Sequence, residues 1–485
     1  MPYVNANRNW ENRFRLKAYW SVGAVRCWVA CLIILGLAFQ AILTAMPARA
    51  SINPWIAATQ YDPRKWDTAG PYTATPWLHP PTCPPGQEWG VFSGKWQTAD
   101  TLTGSWGGHR DELLEKYGVS LVAAYYGQFA ANPSGGQEQG DSYKGSLSLA
   151  LFVDLQRLLN WYRGYFTASF SYKNSGNSLS SDYIGNQFPV QTTDGDDDGA
   201  TRVAHIALGQ QFWDNSAEIV AGRIIAGEDF ATVPLACTSV NQAICGNPVA
   251  ANQSISFPAY PSATWGVRLK AKPHANWYAQ AGTYLVYEDF RDADDHGLRF
   301  SAPDGSGLLT LGEAGYLTGN LAGEKSLPGL YKLGAYYDNE QLEELDTGEP
   351  KRGTWGVYAL AQQMLYAEDT DHRQGLSAFA AISYAPQDLN EINFMAAGGL
   401  SYQGLFPGRP FDSLSFIGAY GRFSDDLDQA ASYDQSFEGL LELNYQFQLA
   451  PWVFIKPDVQ YVIRPGGRSD IDDALVIGLA LGLNI

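Results

Sequence analysis

From Gly118 to the C-terminus the chain alternates apolar and polar residues with a period of two, and this limits the available folds more than any other feature. The clearest stretch places Phe437, Leu441, Leu443, Tyr445, Phe447 and Leu449 on one face, and Glu438, Glu442, Asn444, Gln446 and Gln448 on the other. Helical spacing would mix the two sets, so the stretch reads as a strand. The next stretch repeats the design, with Val453, Ile455, Val459, Tyr461 and Ile463 opposed by Lys456, Asp458 and Gln460. At the C-terminus Leu475, Ile477, Leu479, Leu481, Leu483 and Ile485 face away from Ala474, Val476, Gly478, Ala480, Gly482 and Asn484. Upstream, Leu147 to Leu155 and Trp265 to Ala271 alternate in the same way, and further strands are expected at Val119, Tyr165, Val203, Trp277, Tyr331, Trp355, Leu376, Phe394 and Leu414.

Two-faced strands build either a soluble sandwich with apolar faces inside or a membrane barrel with apolar faces turned to lipid. Segment length favours the barrel. Alternation persists for about 9 to 13 residues, near the roughly 9 to 11 tilted residues that cross a bilayer, whereas soluble strands average about 5 to 6. Many segments start or end on an aromatic residue, as at Trp161, Tyr165, Trp265, Trp277, Tyr287, Tyr337, Trp355, Tyr384, Tyr402 and Trp452, which suits aromatic girdles at two interfaces. Charged residues make up only 17% of the chain, against roughly 25% in ordinary soluble proteins. The expected fold is all-β, a transmembrane antiparallel β-barrel preceded by a short helix from His109 to Tyr117 that Gly118 terminates. A sheet in lipid has no free edge, so the strand beginning at Ala474 is expected to pair with an early one.

The N-terminus has the order of a secretory signal. Basic residues from Arg8 to Arg26 precede an apolar run, Cys27 to Ala45, followed by Ala48-Arg49-Ala50, which predicts cleavage after Ala50; a retained membrane anchor is the alternative. Loss of residues 1–50 removes six basic groups and one acidic group, leaving 26 against 49 and changing the net charge from −18 to −23. Such acidity excludes the phosphate-neutralising surface of a nucleic-acid binder. Residues 51–103, with Pro80, Pro81, Pro84 and Pro85 around Cys83, read as an irregular extension, and 104–485 as the barrel. Cys237 and Cys245 read either as a short disulfide-closed surface loop, in keeping with an oxidising compartment, or as two reduced loop cysteines.

In a barrel of this size chemistry belongs to the inward face. The candidate lumen residues are Arg223, Glu228, Arg268, Lys270, Glu313, Lys332, Gln363, Glu438, Glu442, Asn444, Lys456, Asp458 and Gln460, with Lys272 continuing a basic ladder and Tyr336 offering a stacking face. Closely set donors and acceptors are what a polyhydroxylated solute needs to exchange water for protein in a constriction. Alternatively these groups only solvate a water-filled wall.

Several motifs carry a family resemblance. Gly104-Ser105-Trp106-Gly107-Gly108-His109-Arg110, Asn132-Pro133-Ser134-Gly135-Gly136, Gly353-Thr354-Trp355-Gly356-Val357-Tyr358 leading to Gln363, Gly404-Leu405-Phe406-Pro407-Gly408-Arg409-Pro410 with Asp412, and Pro457-Asp458-Val459-Gln460-Tyr461 followed by Pro465-Gly466-Gly467 resemble the bacterial carbohydrate-selective porin family OprB from about Leu102 to Ile485. The resemblance implies an outer-membrane barrel of about 16 strands, passive sugar-preferring diffusion into the periplasm, and a disulfide between Cys237 and Cys245. It points to small carbohydrates as solutes, with outer-membrane lipid and lipopolysaccharide around the barrel, the barrel-assembly machinery acting on the C-terminal strand, and a homo-oligomer as a further expectation. No cofactor is expected. The extension 51–103 matches nothing in that family, and Ile485 stands where many such barrels end in Phe.

Two other signals fail on chemistry. The run Asp194-Gly195-Asp196-Asp197-Asp198-Gly199 begins like a calcium loop, but His205 occupies the position of the bidentate Glu. Glu438 and Glu442, offered as a glycosidase pair, lie four residues apart on one strand face, about 13 Å by backbone rise, beyond the roughly 5 to 9.5 Å such pairs use. A non-selective diffusion porin is the main alternative function.

Overall fold

The computed structural model describes residues 101–485, apart from 195–198, 200, 214–215, 246, 248, 304–305, 320–325, 369–373 and 431–434. The predicted signal segment, Cys83, nearly all of the extension 51–103 and the centre of the acidic run after Asp194 lie outside the described residues. After helix α1 (His109–Tyr117), Gly118 adopts φ 69° and donates its N–H to Leu113 O and Leu114 O, the expected left-handed stop.

Sixteen strands then follow. They are β1 (Val119–Gly136), β2 (Asp141–Asp154), β3 (Gly164–Lys173), β4 (Thr201–Phe212), β5 (Ala217–Ile224), β6 (Thr264–His274), β7 (Trp277–Val286) and β8 (Gly307–Thr318). The second half comprises β9 (Gly329–Glu343), β10 (Pro350–Ala367), β11 (Gly375–Tyr384), β12 (Ile392–Gln403), β13 (Ser413–Phe423), β14 (Phe437–Ala450), β15 (Val453–Ile463) and β16 (Asp472–Asn484). Each strand pairs antiparallel with its sequence neighbours, and β1 pairs with β16 to close the barrel. No backbone edge is left open, the condition for a sheet in lipid.

The faces divide as the alternation requires. On β14, Leu441, Leu443 and Phe447 are exposed while Glu438, Glu442 and Asn444 are buried; on β16, Ile477 and Leu479 are exposed while Ala474, Val476 and Ala480 are buried. Apolar exposure beside polar burial is the inverse of a soluble core and fits an apolar surround. Trp161, Trp265, Trp277, Tyr337, Trp355 and Tyr384 are exposed, and Tyr402 and Trp452 half-buried. Tyr165 and Tyr287 depart from the expected girdle and are buried. Tyr165 points inward over Gly209 of β4, where a Cβ would overlap its ring.

Two strands were absent from the sequence reading. β8 reverses the usual contrast, with Leu309 and Leu311 buried inside and Gly312 exposed outside; β5 is short and carries Arg223 on its outward side.

The two chain ends of the barrel meet where the shortest connections, 275–276 and 451–452, also lie, the end that faces the periplasm in such barrels. Leu102 N donates to Asn484 O (2.8 Å), and Arg110 Nη2 to Ile485 O (3.0 Å). The longest connections, 174–200 between β3 and β4 and 225–263 between β5 and β6, leave from the opposite end.

Candidate functional site: the lumen and its two walls

The described parts of 174–200 and 225–263 do not stay above the barrel. They fold into it, as their partners on inward strand faces show. Leu179, Ile184, Phe188, Val190, Val233, Ala236 and Ile244 are buried against inward residues such as Tyr358, Leu360, Phe379, Met395, Ile417 and Val476. The lumen therefore contains an apolar layer as well as polar walls, which explains why β8 is leucine-rich on its inner side.

Carboxylates hold these segments. Glu438 accepts three backbone N–H groups, from Gln187 (2.8 Å), Phe188 (2.7 Å) and Gly466 (2.6 Å). Glu442 accepts the Val240 N–H at 2.9 Å, the Ser239 hydroxyl and the Asn444 amide. Asn444 and Lys456 each donate to Thr238 O at 3.0 Å, and Gln460 exchanges hydrogen bonds with Val190 O (2.9 Å), Asn241 (3.1 Å) and Asp458 (2.9 Å). The loop tip 238–241 is thus fastened to β14 and β15. Across the seam, the Gln128 side chain of β1 donates to Val240 O and accepts from Thr192 and Thr193. Cys237 and Cys245 are joined by a disulfide at the neck of this tip. The bond lies inside the lumen and not on a surface loop, because the tip it closes is tied to inward side chains.

The facing wall, β5 to β9, mixes buried carboxylates with the basic ladder of β6. Arg268 pairs with Glu218 and, at 3.0 Å, with Asp229 of helix α2 (Ala226–Asp229). Glu313 accepts from Tyr278 (2.8 Å), Gln280 (2.9 Å), Tyr358 (3.0 Å) and Ala231 N (3.0 Å), with Lys332 Nζ at 3.4 Å. Glu228 is buried beside His205, 4.0 Å away. Lys270 and Lys272 lie on the same inward face as Arg268, are only half-buried, and have no carboxylate partner among the described residues. Lys270 Nζ rests 4.8 Å from the centre of the Tyr278 ring. Tyr336 is inward and buried.

Two predicted lumen residues point elsewhere. Arg223 shares the outward side of β5 with Ile219, opposite Trp265. Its guanidinium donates to Arg299 O (2.6 Å) and Ala263 O (2.7 Å), fastening the loop 287–306 over the short β5. At the rim of the barrel a cation costs about 0–1 kcal/mol, against about 2–4 at the bilayer midplane, so the position is tolerable. Gln363 also faces outward, accepting from the Tyr331 hydroxyl (2.7 Å) near the periplasmic end; its neighbour Gln362 is the inward one and accepts the Leu235 N–H (2.9 Å). Residues not anticipated include Glu218, Gln128, Gln280, Gln362 and Asn241. Gln128, Gln280 and Gln362 sat on expected strands in the inward phase, so parity alone could have found them, whereas Glu218 and Asn241 lay outside the expected strands.

Outside the strands, Asp194 contacts Lys144 at 3.2 Å and accepts from Ser178. No group of His, Cys, Asp and Glu suited to a metal occurs among the described residues. At the outer rim the Lys351 ammonium bonds Glu344 and Asp388 (2.6 Å each), tying two loops and holding the Glu344 carboxyl below its ordinary range.

A closed barrel with an apolar exterior, a charged interior and connections folded inward to narrow it defines an outer-membrane diffusion channel of the porin class. The description "Carbohydrate-selective porin, OprB family" matches residues 138–484, and the chain belongs to that family. It is 29% identical over 418 residues to Porin B of Pseudomonas aeruginosa, covering 78% of this chain and 90% of that protein. It is 27% identical to the putative porin QuiX of Acinetobacter baylyi, covering 80% of this chain and 94% of that protein. The high-pH structure of Pseudomonas putida OprB superposes with a TM-score of 0.74 at 28% identity, covering 80% of this chain and 99% of that one. Family and fold point to a channel.

Proposed function

We propose that this outer-membrane porin lets small carbohydrates diffuse passively into the periplasm, and that it selects them in the gap between the anchored tip 238–241 and the wall β5–β9. The observation that carries this reading is the two inward segments, which convert a wide tube into a narrowed one lined by paired donors and acceptors. Lys270 and Lys272 supply donors on the wall β5–β9, while Asn444, Lys456 and Gln460 hold the tip that narrows the lumen from the other side. Many weak hydrogen bonds exchanged for water give a sugar a path without holding it, as conduction requires. Glu313, Glu438 and Glu442 act through the segments they hold, and Glu228 sits in one of them.

The same reading includes export by cleavage after Ala50, recognition of β16 by the assembly machinery, contact with lipopolysaccharide at the outer rim, and association of barrels. The test is direct. Purified protein is run unboiled and boiled on a gel, then placed in a planar bilayer and in liposomes. Unchanged mobility and no conductance steps would defeat the porin reading; sugars crossing no faster than amino acids of similar size would leave a general diffusion porin.

A further inference from the structure

The wall β5–β9 carries the cations Arg268, Lys270, Lys272 and Lys332 beside several buried carboxylates, and the carboxylates nearest β6 are engaged by other groups. Glu218 is taken by Arg268 and by the Gln211 amide (3.2 Å), Asp229 by Arg268, and Glu313 by four hydrogen-bond donors and Lys332. The other described cations on inward faces have protein acceptors. Lys144 has Asp194 and Gly176 O, Lys456 has Thr238 O, and Arg202 has the carbonyls of Phe290, Arg291 and Asp292. Lys270 and Lys272 are the exception among the described residues: two half-buried ammonium groups, two residues apart on one strand face and so about 6–7 Å apart along the backbone.

Glu218 faces Lys270 across the β5–β6 pairing but is bound to Arg268, so neither lysine has a carboxylate at ion-pair distance among the described residues, and two such cations in a narrow lumen attract anions. A carboxylate can accept from both members of such a pair. We infer that Lys270 and Lys272 form a binding site for the carboxylate of sugar acids, so that the channel favours carboxylated over neutral monosaccharides. This rests on the porin reading above and narrows its solute class.

The experiment compares current block by D-glucuronate and D-glucose in the full chain in planar bilayers, at matched ionic strength. Glucuronate should block at a concentration lower by on the order of tenfold in dilute salt, with the gap closing near 1 M as charges are screened. K270Q/K272Q should bring the ratio close to one, whereas K116Q, on the exposed face of α1, should leave it intact. Equal block by the two solutes in the unsubstituted channel at low salt overturns the inference while leaving a sugar porin standing, and this arm needs no variant. A ratio that survives K270Q/K272Q overturns the assignment to these lysines. Absence of conductance, or of block by either solute, defeats the underlying porin reading instead.

Discussion

The two walls of the lumen hold similar residues to different ends. On β14 and β15 Glu438 and Glu442 are fully committed to backbone donors of the inward segments, and Lys456 to a carbonyl of the same loop tip. On β6 the ladder continues past the paired Arg268 to Lys270 and Lys272, which meet no carboxylate among the described residues. One wall is scaffold throughout; the other is scaffold at Arg268 and Glu313 and open at Lys270 and Lys272. Inward polarity on a strand therefore does not by itself assign a group to the solute, because a folded-in loop can claim it first.

This contrast can be broken at several points. The largest effect is expected from Glu438→Ala, which strands three buried N–H groups, each worth about 1–3 kcal/mol when unsatisfied. Release of the first inward segment should raise single-channel conductance and lower the temperature at which the unboiled barrel unfolds; unchanged conductance would show that Glu438 does not hold the constriction. Next is C237S/C245S. Opening a loop this short removes a link worth about 2–3 kcal/mol, and the freed tip should give noisier current with weaker sugar block. A smaller effect is expected for K270Q, which should weaken glucuronate block severalfold, while K456M, on the scaffold wall, should change conductance more than block. Equal responses of the two would erase the distinction between the walls. The smallest is Q363A, whose side chain faces outward, where sugar block should stay within experimental error.

Most of the barrel was legible because lipid and lumen impose opposite demands on alternate residues. That logic located β14, β15 and β16 nearly to the residue and put Arg268, Glu442 and Gln460 on the inner face. It failed at β8, where the inward segments supply an apolar neighbour and Leu309 and Leu311 turn inside. It failed again for Arg223 and Gln363, because β5 was not recognised and because neighbouring glutamines at 362 and 363 differ only in phase. The inward folding itself had no local signal: Phe188 finds Glu438 across 250 positions, and Val240 finds Glu442 across 202. The disulfide pair was visible, but its place inside the barrel depended on those distant partners.

The seam between β1 and β16 has a kinetic meaning. Every other strand pairing joins sequence neighbours, so successive hairpins add in local steps with modest loop-closure cost. The pairing of Tyr125 with Leu483 and of Phe129 with Leu479 joins opposite ends of the barrel sequence, and Arg110 clasps the terminal residue across 375 positions. Closure is the one long-range strand pairing in the order of assembly, and it waits for β16.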